Sequence, residues 1–371
     1  MNAMSPASSP STGSTPNRSA PPGELLAAAS AGDRVALARL LTLVERGGQG
    51  GRETAALAYR SGNEARTIGI TGAPGAGKST LTDRLIATIR ADGGPQVAVL
   101  AVDPSSPFSG GAILGDRVRM QEHALDDGVF IRSMATRGHL GGLTVAVPEA
   151  VRVLAAAGMP IVLVETVGVG QVEVEVAAAT DSTVVVVNPG WGDSIQANKA
   201  GLLETADLFV VNKADRPGAR ESRRDLEQML DLTTLGDWRP PIVETVASTG
   251  QGIPELWEEL ERHRVFLQER GLLERQRAER LERELRQVVA ARIEDKVDRL
   301  CEGEGYASMA KAIAAHELDP YQAAERLLGE LAEDGGSYAR PGIAANHFIP
   351  GETVLSDTAH GETVLGETAE S

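Results

Sequence analysis

The chain is short of several things, and each shortage excludes a class of protein. One cysteine, Cys301, cannot form an intrachain disulfide, so the fold rests on burial and a reducing compartment is expected. Aromatics are scarce, with five Phe, three Trp and four Tyr in 371 residues, so the core must be built from Ala, Val, Leu and Ile. Bases are outnumbered: 36 Lys and Arg against 52 Asp and Glu give a net charge of −16. A surface that acidic repels phosphate backbones and anionic bilayers, which argues against nucleic acid and membrane as partners. No apolar run approaches the ~18 residues of a membrane span, and the N-terminus shows no hydrophobic stretch of secretory type. A cytoplasmic location is expected. Six His without a cluster, and no Cys pair, argue against a metal-cargo site.

What is present is regular. Residues 1–22 are rich in Ser, Pro and Thr and read as a disordered tail. Residues 336–371 read as an acidic flexible tail, with GETVL at 351–355 and again at 361–365; a solvated tail is the main reading and a partner-docking peptide the lesser one. Residues 23–64 form an N-terminal helical segment, with two short helices expected in 23–46 from the leucine spacing. Seven β-rich runs follow, TIGITG, VAVLAVD, VFIRSM, IVLVET, TVVVVN, LFVVNKAD and IVETVAS, separated by helix-length segments. One of these segments, 148–157, is expected to open at Pro148 and close at Gly158. Continuous Val/Ile runs indicate strands covered on both faces. The expected fold is therefore α/β, a mostly parallel seven-stranded sheet flanked by helices over 65–262. Residues 263–335 are helical and charged, with a break at Gly271. An apolar stripe (Leu273, Leu281, Leu285, Val288, Val289, Ile293, Val297, Leu300) packs either on its own domain or as a homodimer arm.

Ligands of parallel sheets lie at the carboxyl ends of the strands, and the informative residues are there. The segment Gly72-Ala73-Pro74-Gly75-Ala76-Gly77-Lys78-Ser79-Thr80 fits GxxxxGK[ST], after a strand and before an amphipathic helix. Its glycines let successive N–H groups turn inward as an anion nest, and the following helix adds its positive end. Lys78 suits the β/γ-phosphate oxygens and Ser79 a Mg²⁺ ion. Asn212-Lys213-Ala214-Asp215 ends a later strand. An Asp215 carboxylate accepts the N1 and N2 hydrogens of guanine, whereas adenine offers neither, so GTP and GDP are the expected ligands. Lys213 can pack along the base, Asn212 can tie its loop to the phosphate loop, and Ala247, between Val246 and Ser248, can offer its N–H to guanine O6. Two further strands end in carboxylates, Asp103 and Glu165, placed for the metal beside Ser79. Asp116, in the Gly/Ser/Pro-rich segment 104–120, stands either as a solvated carboxylate or as a ligand. Gln171 is the candidate for positioning the attacking water, and Lys78, Asp103 and Glu165 complete the expected catalytic set.

Together GAPGAGKST, AVDPSSPFSGGAILGDRVRM, RSMATRGHLGGLT, VETVGVGQ, NPGWGDSIQANKAG and VNKAD resemble the MeaB/ArgK family of P-loop GTPases, which carry glutamate in the Walker B strand. The likeness spans roughly 25–335. It implies a GTP-dependent chaperone of an adenosylcobalamin-dependent acyl-CoA mutase, chiefly of methylmalonyl-CoA type, that gates cofactor loading from a cobalamin adenosyltransferase and protects or reactivates the mutase. It also implies metal-site acids at Asp103, Asp116 and Glu165, a mobile loop at 188–199 with Asp193 and Lys199 as switch residues, and homodimerisation through the C-terminal helices. The chain departs from the family pattern at Val172, where many members carry a hydroxyl, and in the TVA before Ser248. The rival readings are a transport-linked kinase of arginine/ornithine type, a nickel-insertion GTPase and a non-hydrolysing scaffold.

Overall fold

The computed structural model describes residues 20–103, 123, 125–135, 142–166, 172–190, 205–233 and 236–333, of which 103, 135, 142–145, 172–175 and 330–333 are described by backbone alone. Its centre is a seven-stranded sheet built by the seven β-rich runs: β1 (Arg66–Gly72), β2 (Val97–Asp103), β3 (Val129–Ala135), β4 (Ile161–Thr166), β5 (Ser182–Val187), β6 (Leu208–Asn212) and β7 (Ile242–Thr245). All pairings are parallel, in the order β3-β2-β4-β1-β5-β6-β7. β4, β5 and β6 are buried along their whole length, as their unbroken apolar runs require. The chain moves out from β1 to β2 and β3, returns through β4, then continues on the other side with β5, β6 and β7, so the order reverses beside β1. That is the topological switch point, where ligands of open α/β sheets bind.

Alternate residues of the strands feed two cores. On one face Ile68, Ile70, Val97 and Val99 meet Leu81, Leu85 and Ile86 of α4 (Lys78–Arg90) and Leu256 and Leu260 of α8 (Ile253–Glu269). On the other, Ala98, Leu100 and Val102 meet the N-terminal helices α1 (Pro22–Ser30) and α2 (Arg34–Arg46) and the helix α5 (Gly142–Ala156). The helix α6 (Val172–Ala179) joins this face through Val176, and α7 (Ala219–Leu232) covers β5 and β6 through Leu226 and Leu230.

Two elements differ from expectation. A third N-terminal helix, α3 (Gly48–Arg60), follows α2; its glycine-rich start has low helix propensity, and the helix is held by packing on α2 and α5, with Thr54 and Ala58 buried. The helix expected to open at Pro148 begins at Gly142 instead. The proline removes a single backbone donor, and the apolar run upstream of it is compatible with helix.

Gly271, with φ 64°, separates α8 from the long helix α9 (Leu272–Cys301). The boundary read at 262/263 falls inside α8, and the chain divides into compact units at Asp295/Lys296. The second unit contains the end of α9 and the mutually packed helices α10 (Glu304–Ala314) and α11 (Pro320–Glu333), with Ala323 and Leu327 buried. No helix among the described residues is long and apolar enough to cross a membrane.

Candidate active site

The loop between β1 and α4 is shaped by backbone geometry that glycine alone tolerates. Gly77 caps α4 in the left-handed region at φ 96°, and a Cβ there would lie 2.4 Å from Asn212 Nδ2. Gly72 is packed harder still, since a Cβ would meet Val186 O of β5 at 2.0 Å. Pro74, Gly75 and Thr80 are exposed, Ala73, Gly77 and Ser79 half-buried, and Ala76 buried. Lys78 lies 7% exposed, its Nζ donating to Gly72 O at 2.6 Å and to Ala73 O at 3.2 Å. The ammonium thus lies on the carbonyls that open the loop, beside the positive end of α4. That is the charge arrangement that receives a polyphosphate.

Beneath the loop, Ser79 Oγ donates to Glu165 Oε1 at 2.6 Å. Glu165 is 1% exposed at the end of β4, whose register places it opposite Ile70 of β1 and Ala101 of β2. Asp103 ends β2 two residues beyond that pairing, so the strand-end acids of β2 and β4 share the same edge. A buried carboxylate touching the P-loop hydroxyl is a hard-oxygen pair of the kind Mg²⁺ takes, and these residues fit that ion. Thr166 Oγ1 also donates to Thr71 Oγ1 at 3.2 Å, tying the ends of β4 and β1, a link that the motifs did not reveal. Asp116, Gln171, Asp193 and Lys199 lie outside the described residues.

The corner between the loops after β6 and β7 is organised by Asn212, 2% exposed. Its Nδ2 donates to Ala76 O of the phosphate loop at 2.8 Å, while its Oδ1 accepts from Thr245 Oγ1 and from Ala247 N, both at 3.1 Å. One amide therefore joins the phosphate loop to the loop after β7. The Ala247 N–H assigned to guanine O6 in the sequence reading is engaged here by Asn212, because this side chain turns its carbonyl toward the 245–247 turn. Val246 and Ala247 are buried and Ser248 exposed. Lys213 is one of the few non-glycine residues at positive φ, 58°, and its Nζ donates to Gly75 O at 2.6 Å. Such conformations gather where surrounding structure over-determines them. The next turn leaves the Asp215 side chain exposed at the rim.

Further ties root the segment after 104–122 on the phosphate-loop helix. His123 Nε2 lies 3.0 Å from Asp83 O and 3.3 Å from Asp83 Oδ1. Arg90 holds Asp126 through Nε at 2.9 Å and Nη2 at 3.0 Å, and this guanidinium keeps the Asp126 carboxyl below the usual carboxylate range.

A parallel sheet of this order, with a GxxxxGKS loop at the switch point, its buried Lys78 on the loop carbonyls and a buried Glu165 on its Ser79, defines a P-loop nucleoside triphosphatase. Residues 37–302 match the model of the family described as methylmalonyl Co-A mutase-associated GTPase MeaB. A protein of Pyrococcus abyssi provisionally named a GTPase is 48% identical over 84% of this chain and 97% of its own. The GTPase ArgK of Escherichia coli is 38% identical over 66% of this chain and 77% of its own. A crystal structure named LAO/AO transport system kinase matches with a TM-score of 0.63 at 27% identity, covering 86% of this chain and all of that one. The chain belongs to the MeaB family of P-loop GTPases.

Proposed function

We propose that the chain hydrolyses GTP to GDP and phosphate with Mg²⁺, and that this cycle serves an adenosylcobalamin-dependent acyl-CoA mutase of methylmalonyl-CoA type. In this role it would gate cofactor loading, with a cobalamin adenosyltransferase as donor partner, and protect or reactivate the mutase. The observation that supports the nucleotide half is the Asn212 bridge, which ties the start of the loop that carries Asp215 to the phosphate loop and to the turn after β7. The mutase half is supported by the family description and by a mouse relative named methylmalonic aciduria type A homolog, mitochondrial, 38% identical over 61% of this chain and 59% of its own.

In this reading the amides of 72–80 and Lys78 bind the triphosphate, and Lys78 exchanges its loop carbonyls for phosphate oxygens. Asp215 selects the base, with Lys213 along its plane and Val246, Ala247 and Ser248 closing the corner. Ser79, Glu165, Asp103 and Asp116 would hold Mg²⁺, which when bound supplies positive charge to the β- and γ-phosphate oxygens. Gln171 orients water, and Asp193 and Lys199 report the nucleotide state to the partner. A second copy of the chain is proposed as a further partner through α9. Leu285, Val289 and Ile293 are exposed at four-residue spacing, a row that packs on a like row at a crossing near −50°.

The test is phosphate release from GTP by the full chain, alone and with an adenosylcobalamin-loaded methylmalonyl-CoA mutase. Slow turnover that rises at least roughly tenfold with the mutase supports the proposal. Fast turnover indifferent to the mutase contradicts it. The solved structure's name favours a second reading, a transport-linked kinase, for which the γ-phosphate would appear on an acceptor other than water.

A further inference from the structure

A cavity of about 500 Å³ opens where the first half of α9 crosses α3, α5 and α6. It borders Thr67 at the start of β1 and Asp181 just ahead of β5, so it lies at the amino edge of the sheet, whereas the phosphate loop leaves the carboxyl edge. Its walls are mostly small and apolar, Ala58, Pro148, Val151, Ala155, Ala178 and Leu281. Alanines on three converging helices leave a hollow in the size range of small-molecule sites.

The polar lining is built and nearly balanced. Asp181 is 5% exposed and takes Arg277 Nη2 at 2.8 Å and Nε at 3.2 Å, together with Arg280. Burial would raise its carboxyl, yet the two guanidiniums hold it below the usual range. Arg277 also reaches Glu64, and Arg152 pairs with Glu284. These three arginines are matched by three carboxylates. Arg283 is different: it is exposed at the mouth, and its one contact among the described residues is a 3.5 Å bond to Ala178 O. Among the side chains that line the cavity, an apolar floor therefore meets a single guanidinium in excess.

We propose that this cavity binds a small amphipathic carboxylate, its apolar body on Ala155, Ala178 and Leu281 and its carboxylate on Arg283. The planar guanidinium fork matches a carboxylate, and the alanine walls offer nothing to a polar body. With Asp181, Glu64 and Glu284 taken up by arginines, one cationic group remains for one carboxylate, whereas the phosphate loop lies at the opposite edge of the sheet.

The experiment uses the full chain, with octanoate as ligand and anilinonaphthalene sulfonate as fluorescent reporter. Octanoate should bind saturably and displace the reporter. Arg283→Glu and Ala178→Phe, both at exposed positions, should each weaken octanoate at least roughly tenfold while GTP turnover stays unchanged. Octanol, which lacks the carboxylate, should compete poorly. Absence of octanoate binding in the parent chain, or equal binding in both variants, overturns the proposal. Conversion of a dimer to a monomer by Ala178→Phe would also overturn it, by assigning the hollow to a second copy of the chain.

Discussion

At the scale of single residues the proposed nucleotide site rests on three side chains with different tasks. Lys78 and the loop amides carry the phosphate charge, so Lys78→Ala should weaken GTP binding roughly ten- to a hundredfold, read by titration calorimetry. Asp215 carries base choice: Asp215→Asn should lower GTP affinity by roughly two orders of magnitude and favour xanthosine triphosphate, because the new amide can donate to the xanthine C2 carbonyl. Asn212 carries the joint. Asn212→Ala would leave Ala76 O, Thr245 Oγ1 and Ala247 N without their partner in a buried corner, with a loss of at least about 2 kcal/mol in denaturant unfolding. The tie from Asn212 to the phosphate loop was legible beforehand, because the two motifs restrict residue type at fixed spacing. The engagement of the Ala247 amide was not, because it depends on which way one side-chain carbonyl faces. Nor was the positive φ of Lys213, which the neighbouring loops impose.

At the scale of elements, the strands were readable because burial on both faces writes unbroken Val and Ile runs. Helices were less so where composition and packing disagree, as in the glycine-rich start of α3 and the proline within α5. Tertiary contact decided both. The docking of α8 on the sheet carries its own pH signature. His263, 1% exposed, lies 2.9 Å from Ser182 Oγ through Nδ1 and 3.4 Å from Asp207 Oδ1 through Nε2. Burial lowers its pKa from 6.5 to about 4, helped by Arg66. The folded protein keeps this ring neutral while the unfolded chain protonates it, so its contribution is complete above pH 6.5 and is lost as pH falls toward 4. Asp207, pushed up to about 7 mainly by burial, works in the opposite sense, favouring the fold at low pH and losing that effect as pH rises toward 7. The stability difference between the parent chain and His263→Gln isolates the histidine: it should shrink steadily from pH 6.5 to 4, and a constant difference would contradict the assignment.

At the scale of the whole molecule, the sheet's switch point is where a nucleotide is proposed to bind, and the long helix α9 is where a second copy is proposed to pack. The long helix α9 was visible as a stripe, but its pattern alone suited both an internal face and an arm, since periodicity says that a face is apolar and not what covers it. Leu273 is buried, whereas Leu285 and Ile293 are 64% and 58% exposed. On the proposed pairing through α9, the parent chain should be a dimer in light scattering and Leu285→Glu a monomer, at unchanged GTP affinity. Persistence of the dimer would remove α9 from the interface.

The most direct test of the account is competition between GTP and ATP for the full chain in Mg²⁺. A carboxylate at the rim and amides around the phosphates predict GTP at least roughly a hundredfold tighter than ATP, with the preference lost in Asp215→Ala. Equal affinity for the two nucleotides, or none for either, would contradict it.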